Sequence, residues 1–231
     1  MEWSKLVTVF ATIPVKRLSE SKTRLSPVLS QDEREELTRI MLADVLNAVT
    51  QCEGVTRTVI VCSDKIVLRE GDYANIEIIR EEEEGLNVAL DSIVNYSVRN
   101  GADSLLILPC DIPLVQKQDI EQIVRSCTNR GITIVPSKDN LGTNSLMLRP
   151  PNVIPIAFGP NSFLSHQNLA RSRGVIVKIL QIDRISLDID ATKDIGELLA
   201  APVHCNTRDF LLKVGMAERL SRFQSDSGSD K

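Results

Sequence analysis

Histidine is scarce: two residues, His166 and His204, stand far apart in a chain of 231. They cannot supply the histidine cluster of a zinc-type site. Aromatic residues make up 3% of the chain, with one Trp. The core must therefore rest on Val, Ile and Leu, and no aromatic residues interleave with cations to stack nucleic-acid bases. The five cysteines (Cys52, Cys62, Cys110, Cys127 and Cys205) are odd in number and never spaced as CxxC. They read as reduced, mostly buried thiols in a reducing compartment. No apolar run approaches the roughly 20 residues of a membrane helix, and no charged-then-apolar leader opens the chain. These absences predict a cytoplasmic protein with neither membrane nor nucleic acid as partner. Neither a Walker loop nor a GxGxxG turn occurs, so the common phosphate motifs are missing too. A net charge of −4 argues against tracking a phosphate backbone. It leaves room for a small basic pocket.

What is present is ordinary for a globular protein, with 42% hydrophobic and 25% charged residues. The length suits one large domain or one domain with an appendage. Short, apolar, β-branched runs predict strands over 6–15, 56–62, 76–80, 104–108, 132–136, 145–149 and 175–182. Between them, helical spacing predicts helices over 30–51, 87–100, 117–128 and 163–173, a short one near 64–70, and one starting near Lys193. Ser30 is a good cap for the first, followed by Gln31, Asp32 and Glu33. Gly101 ends the 87–100 helix. Strands alternating with helices predict an α/β fold: one open, mostly parallel sheet with helices on both faces. Ligands of such sheets bind at the carboxyl ends of the strands. Residues 1–202 read as the main domain, 203–223 as a helical extension with a helix over 209–223, and 224–231 as a disordered tail. The extension caps the domain or joins a homodimer; the sequence favours neither.

Four cations, Lys16, Arg17, Lys22 and Arg24, lie within nine residues after the first strand. There they could grip a triphosphate, Arg as a fork and Lys as point charges; a solvated basic loop is the plainer reading. Asp111 follows a buried strand between Pro109 and Pro113, a rigid carboxylate at the ligand edge that suits Mg²⁺. Its plainer role is to open a loop or cap a helix. In an extended segment Asp188 and Asp190 point the same way, which is costly unless a cation separates them. Asp190 or Thr192 could instead cap the next helix. Asn140 to Ser145 and Phe158 to Phe163 combine glycines with hydroxyls and amides that allow close approach to a ligand, although turns look the same. Glu81 to Glu84 reads as a solvated face, while Gly85, Leu86 and Asn87 could read a base edge.

Taken in order, Pro14-Val15-Lys16, Lys22-Thr23-Arg24-Leu25-Ser26, Gly85-Leu86-Asn87, Pro109-Cys110-Asp111-Ile112-Pro113, Gly142-Thr143-Asn144, Phe158-Gly159 with Ser162-Phe163 and His166, and Asp188-Ile189-Asp190 resemble the 2-phospho-L-lactate guanylyltransferases. The resemblance runs from about residue 6 to 200. It implies a nucleotide-diphospho-sugar-transferase-like fold and a place in coenzyme F-420 biosynthesis. It further implies that Asp111, Asp188 and Asp190 hold Mg²⁺, with Lys16, Lys22 and Arg24 on the phosphates of GTP. Pro14, Gly85, Leu86, Asn87 and Pro109 would line the nucleotide. Thr143, Asn144, Gly159 and Ser162 would hold a small phosphorylated three-carbon acid. The sequence departs from the family at Ala191-Thr192-Lys193, where relatives often have Thr-Pro-Glu, and after Pro202.

The implied reaction is in-line displacement at the α-phosphorus by a phosphate oxygen, with Lys16, Lys22, Arg24 and Asp111 as the catalytic set. Phosphoenolpyruvate or 3-phosphoglycerate could replace phospholactate as acceptor. A molybdopterin or sugar-phosphate acceptor fits less well, because the glycine-rich first loop of those enzymes is missing. A nucleotide-binding regulatory module is the non-enzymatic reading, and the three aspartates with the basic loop count against it.

Overall fold

A computed structural model describes residues 7–63, 76–80 and 85–227. The strands are β1 (Val9–Val15), β2 (Arg57–Cys62), β3 (Ile76–Arg80), β4 (Ser104–Ile107), β5 (Gly131–Pro136), β6 (Thr143–Arg149) and β7 (Ile176–Ile179). They form one sheet in the order β3-β2-β1-β4-β6-β5-β7. Strand β6 is antiparallel to both its neighbours, while the other pairings are parallel. The expected α/β sheet, mostly parallel and mixed, is therefore the fold. Reversal of β6 has a specific consequence. Its first residues, Thr143 and Asn144, lie at the edge where the parallel strands end, with Thr143 opposite Pro136 at the end of β5.

Alternation along the strands divides the core in two, because successive side chains take opposite faces. Val9, Ala11, Ile13 and Val15 of β1 pack with the buried stripes of α1 (Gln31–Thr50) and α3 (Lys117–Ser126). Phe10 faces the other way, toward α2 (Leu86–Arg99) and α4 (Ser162–Ser172). Helix α1 starts as its sequence requires. The Ser30 hydroxyl accepts from the Glu33 N–H, and the Glu33 carboxylate accepts from the Ser30 N–H, a reciprocal cap.

Some expectations need correction. The strand expected over 175–182 ends at Ile179, and α5 (Asp183–Ser186) follows it. The helix expected near Lys193 is α6 (Thr192–Ala200). The helix expected over 209–223 is two, α7 (Asn206–Lys213) and α8 (Met216–Ser227), broken at Gly215, whose φ is +72°. Helix α7 begins earlier because its first N–H groups are capped from another helix. Asp44 of α1 accepts from the backbone of Asn206 and Thr207 at 3.1 and 2.9 Å. Residues 224–227, expected in a disordered tail, continue α8; the rest of that tail and the helix near 64–70 lie outside the described residues.

A third apolar cluster joins the C-terminal helices to the first loop. Leu198 of α6, Leu211 of α7 and Met216 and Leu220 of α8 pack around Leu25, Val28, Leu29 and the first turns of α1. Arg219 completes the contact. Its guanidinium donates to the Val28 carbonyl at 3.0 Å and to both Glu33 carboxylate oxygens at 2.8 Å. The extension thus caps its own chain directly behind the basic loop.

The Arg219 hydrogen bonds hold the Glu33 carboxyl down at about 2, against about 4.3 in an unfolded chain. A depressed carboxylate contributes stability above its unfolded pKa and loses it as pH falls toward the folded one. Arg219→Ala should therefore be less stable than the parent by about 1 kcal/mol near neutral pH, a partly exposed pair being worth little more. Urea unfolding should show the gap closing as pH falls from about 4.3 toward about 2. A gap independent of pH would refute the assignment.

Candidate active site

Lys22 sits between two 3₁₀ turns, Leu18–Glu20 and Thr23–Leu25, that are anchored in the core by Leu18 and Leu25. Its backbone is left-handed, with φ +54° and ψ +38°. A side chain makes that conformation costly by about 1–2 kcal/mol, and such strain persists only where the surroundings impose it. Here they do. The Lys22 ammonium donates to Asp111 Oδ2 at 2.6 Å and to Asp190 Oδ1 at 2.7 Å. The lysine side chain is 7% exposed and Asp111 20%, whereas Asp190 is 47% exposed.

The two aspartates come from distant segments that are stitched together by backbone. Asp111 follows β4, and its carbonyl accepts from the Ile189 N–H at 3.0 Å. Ile189 is fully buried, so Asp188 and Asp190 flank an anchor beside Asp111. Asp188 is held from the other side by Asn144, whose amide donates to its Oδ1 at 3.0 Å and to the Ile185 carbonyl at 2.9 Å. Lys22 thus bridges Asp111 and Asp190, while Asp188 lies alongside, held by Asn144.

The charges answer one another. Burial alone would push the Lys22 pKa down, but Asp111 and Asp190 hold it above that of an ordinary lysine. Burial would raise Asp190, yet Lys22, then Arg24 and Lys16, leave it lowered. Exposed Lys16 and Arg24 therefore reach this point electrostatically, as the basic-loop reading requires. Asp188 lacks that compensation: burial raises its pKa despite the Asn144 bond, and Asp111 and Asp190 add to the rise. The Cys110 thiol, next to Asp111, is pushed up to about 12 by burial and by that carboxylate, so it is no nucleophile.

Among the described residues no group of three or more His, Cys, Asp or Glu side chains is arranged as a ready metal cage. The donor set is nonetheless right for a hard cation. The Asp111 and Asp190 carboxylates share one positive charge, and Asp188 lies close enough for both to raise its pKa. Such oxygens, with phosphate oxygens and water, are the usual ligands of Mg²⁺.

A cluster of small and polar residues lies along the same edge, where β6 starts and the chain turns into α4. Gly142 is required there: a Cβ would meet the Ser137 hydroxyl at 2.9 Å, and its N–H donates to that oxygen at 2.7 Å. Gly159 has φ +134°, a region that favours glycine. Its carbonyl accepts from the N–H of buried Ser162 at 3.1 Å, and the Phe163 N–H donates to the Leu141 carbonyl at 3.1 Å. Thr143, Gly159 and Ser162 are thereby gathered where the carboxylates end.

Two amide side chains expected to meet ligands are committed elsewhere. Asn87 donates to the Phe158 carbonyl and accepts from the Phe158 N–H, each at 2.9 Å. It clamps the Phe158 turn. Asn144 is spent on α5 and Asp188, which makes it a support for the carboxylates. Pro14 pairs with Val61 near the end of β1, and Pro109 directs the chain from β4 to Asp111. His166, which sequence reasoning gave no role, is fully buried and lies 3.0 Å from the Thr143 hydroxyl. The available signal was its spacing from Ser162, one helical turn away on the same inward face.

Family comparison agrees with this geometry. Residues 9–227 match the model of the family described as "Guanylyl transferase CofC like". The chain belongs to that family. A phosphoenolpyruvate guanylyltransferase of Sphaerobacter thermophilus is 37% identical over 198 residues, covering 85% of this chain and 96% of the relative. A 2-phospho-L-lactate guanylyltransferase of Methanothermobacter thermautotrophicus is 35% identical over 222 residues, covering 96% and 95%. Solved structures extend the likeness to the fold. A provisionally named nucleotide-diphospho-sugar transferase of Desulfovibrio desulfuricans G20 superposes with a TM-score of 0.75 at 16% identity, covering 94% of this chain and 98% of that one. A 4-diphosphocytidyl-2C-methyl-D-erythritol synthase of Anaerococcus prevotii superposes with a TM-score of 0.60 at 11% identity, covering 84% and 95%. The expected nucleotidyltransferase architecture is thus met in this CofC-like chain.

The ion pairs at Lys22 make a direct prediction. Lys22→Met leaves Asp111 and Asp190 unpaired and should cost about 2 kcal/mol, less than the ~3–5 of a fully buried pair because Asp190 is half exposed. Combining it with Asp190→Asn should recover about 1 kcal/mol, since coupled residues are not additive. Urea unfolding of the parent, both single variants and the double variant measures this. Losses that simply add would refute the coupling.

Proposed function

We propose that this guanylyl transferase joins GTP to 2-phospho-L-lactate, giving lactyl-2-diphospho-5'-guanosine and pyrophosphate, a step in coenzyme F-420 biosynthesis. The observation that carries the reading is the convergence of Lys22, Asp111 and Asp190 under Lys16 and Arg24, beside the Thr143–Ser162 cluster. One end suits a triphosphate and the other a small anion. The activities named for the relatives support the choice of base and acid.

A phosphate oxygen of the acid attacks the α-phosphorus as the bond to the β-phosphate oxygen breaks, and pyrophosphate leaves with that electron pair. The attacking oxygen is already ionised near neutral pH, since the second pKa of a phosphomonoester is about 6. No general base is needed for an oxygen that is already anionic. The chain supplies alignment and charge. Lys16 and Arg24 meet the β- and γ-phosphates, and Lys22 neutralises the carboxylate pair until anionic phosphate offers it a second partner. Thr143, Gly159 and Ser162 hold the acid in line. Asp111, Asp188 and Asp190 would hold Mg²⁺, which when bound neutralises the triphosphate and its leaving group.

Phosphoenolpyruvate is the second reading, because the Sphaerobacter thermophilus relative of comparable identity is named for it. The two acids share a phosphate on the carbon next to a carboxylate, so the cluster's donors suit both. We also place the protein in the cytoplasm; among the described residues no helix is long and apolar enough to cross a membrane. A homodimer through the outer face of the C-terminal helices belongs to the same reading, and a monomer at every concentration in light scattering would end it.

Pyrophosphate release should require GTP and Mg²⁺ and be strongest with phospholactate, with phosphoenolpyruvate and 3-phosphoglycerate as parallel acceptors and ATP and CTP as controls. A protein that binds GTP but never releases pyrophosphate would instead be a regulatory module. Asp111→Ala should lower turnover at least about a hundredfold, the scale of losing one transition-state charge contact, with an unchanged circular dichroism spectrum. Near-normal turnover in that variant would sink the assignment of Asp111.

A further inference from the structure

We infer that His166 is a positioning residue that sets the polarity of the Thr143 hydroxyl, making it a hydrogen-bond donor to the bound acid. The inference rests on reading the Thr143–Ser162 cluster as the acceptor side. His166 touches two groups. Its Nε2 lies 3.2 Å from the Ala157 backbone nitrogen, and its Nδ1 lies 3.0 Å from the Thr143 oxygen. A backbone N–H can only donate, so Nε2 must be the bare, accepting nitrogen. In a neutral ring the proton is then on Nδ1, and the imidazole donates to Thr143. The ring is also wedged in place, edge-on to Phe158 with centroids 5.0 Å apart and planes at 72°. Burial pushes its pKa down to about 4, so it stays neutral across the working range.

The consequence falls on Thr143. A hydroxyl carries one proton and two lone pairs. With a lone pair taken by His166, and no other partner for the hydroxyl among the described residues, its proton is left to donate to the bound acid. Phosphate and carboxylate oxygens are pure acceptors, so this is the polarity they need. The opposite tautomer would draw the threonine proton inward and present lone pairs to an anion. His166, which also accepts from the Ala157 N–H, thereby favours an anionic acceptor over a cationic one.

Two readouts test this. In ¹⁵N-labelled protein, long-range imidazole spectra should show His166 protonated at Nδ1 and bare at Nε2, unchanged across neutral pH. A proton on Nε2, or titration near neutrality, would overturn the proposal. In kinetics, His166→Leu should raise KM for the acid about tenfold, the scale of one charge-directed hydrogen bond, while KM for GTP changes little. His166→Gln should restore most of it, its carbonyl accepting from Ala157 and its amide donating to Thr143. Thr143→Val should match His166→Leu, and the two together should cost no more than either alone. Parallel losses in acid KM, GTP KM and melting temperature, or an unaltered acid KM, would reduce His166 to packing. Wild-type inactivity with every acid would instead defeat the phospholactate reading, and the imidazole spectrum would still decide the tautomer.

Discussion

Carboxylates crowded at one sheet edge repel one another, and in this protein a buried ammonium answers two of them, Asp111 and Asp190. Lys22 reaches both Asp111 and Asp190 from a loop remote from either, and the surrounding construction serves to place it there. Its left-handed backbone is held between two anchored 3₁₀ turns. Asp111 is fixed by the strand before it and by a backbone bond to the segment carrying Asp188 and Asp190. Removing any one of these leaves charge of one sign without its counterpart in a poorly hydrated place. Lys16 and Arg24 add further positive charge beside the same aspartate, Asp190.

The reversed strand does the second part of the placement. In a wholly parallel sheet Thr143 and Asn144 would open their strand at the far edge, away from the carboxylates. Running β6 backwards between β4 and β5 brings its first residues to the ligand edge. Thr143 and Asn144 then stand beside the segment that carries Asp188, to which the Asn144 amide donates.

Much of this was legible in the sequence, for reasons that can be named. The five inner strands are short apolar runs buried on both faces, and the Ser30 cap and the alternation through Asp188-Ile189-Asp190 are local signals. The convergence of the basic loop with the aspartates was legible only through resemblance, because no local rule joins Lys22 to Asp111. What was missed is tertiary. Asn87 and Asn144 look like ligand-facing amides, yet both are spent on backbone carbonyls or a carboxylate far along the chain. Helix α7 starts early because Asp44 caps it from another helix, and Gly215 breaks what the apolar spacing alone would continue. His166 was read as one member of a motif, and its work becomes visible only with the positions of Ala157 and Thr143.

The lodging of α8 behind the first loop has a practical side. Leu220 and Arg219 lie near the end of the chain, yet they press on Val28 and Leu29, a few residues from Lys22. Sequence distance is therefore a poor guide to functional distance here. Helix α8 is the back wall of the basic loop, and natural variation or a fusion joined at that end presses on residues a few positions from Lys22.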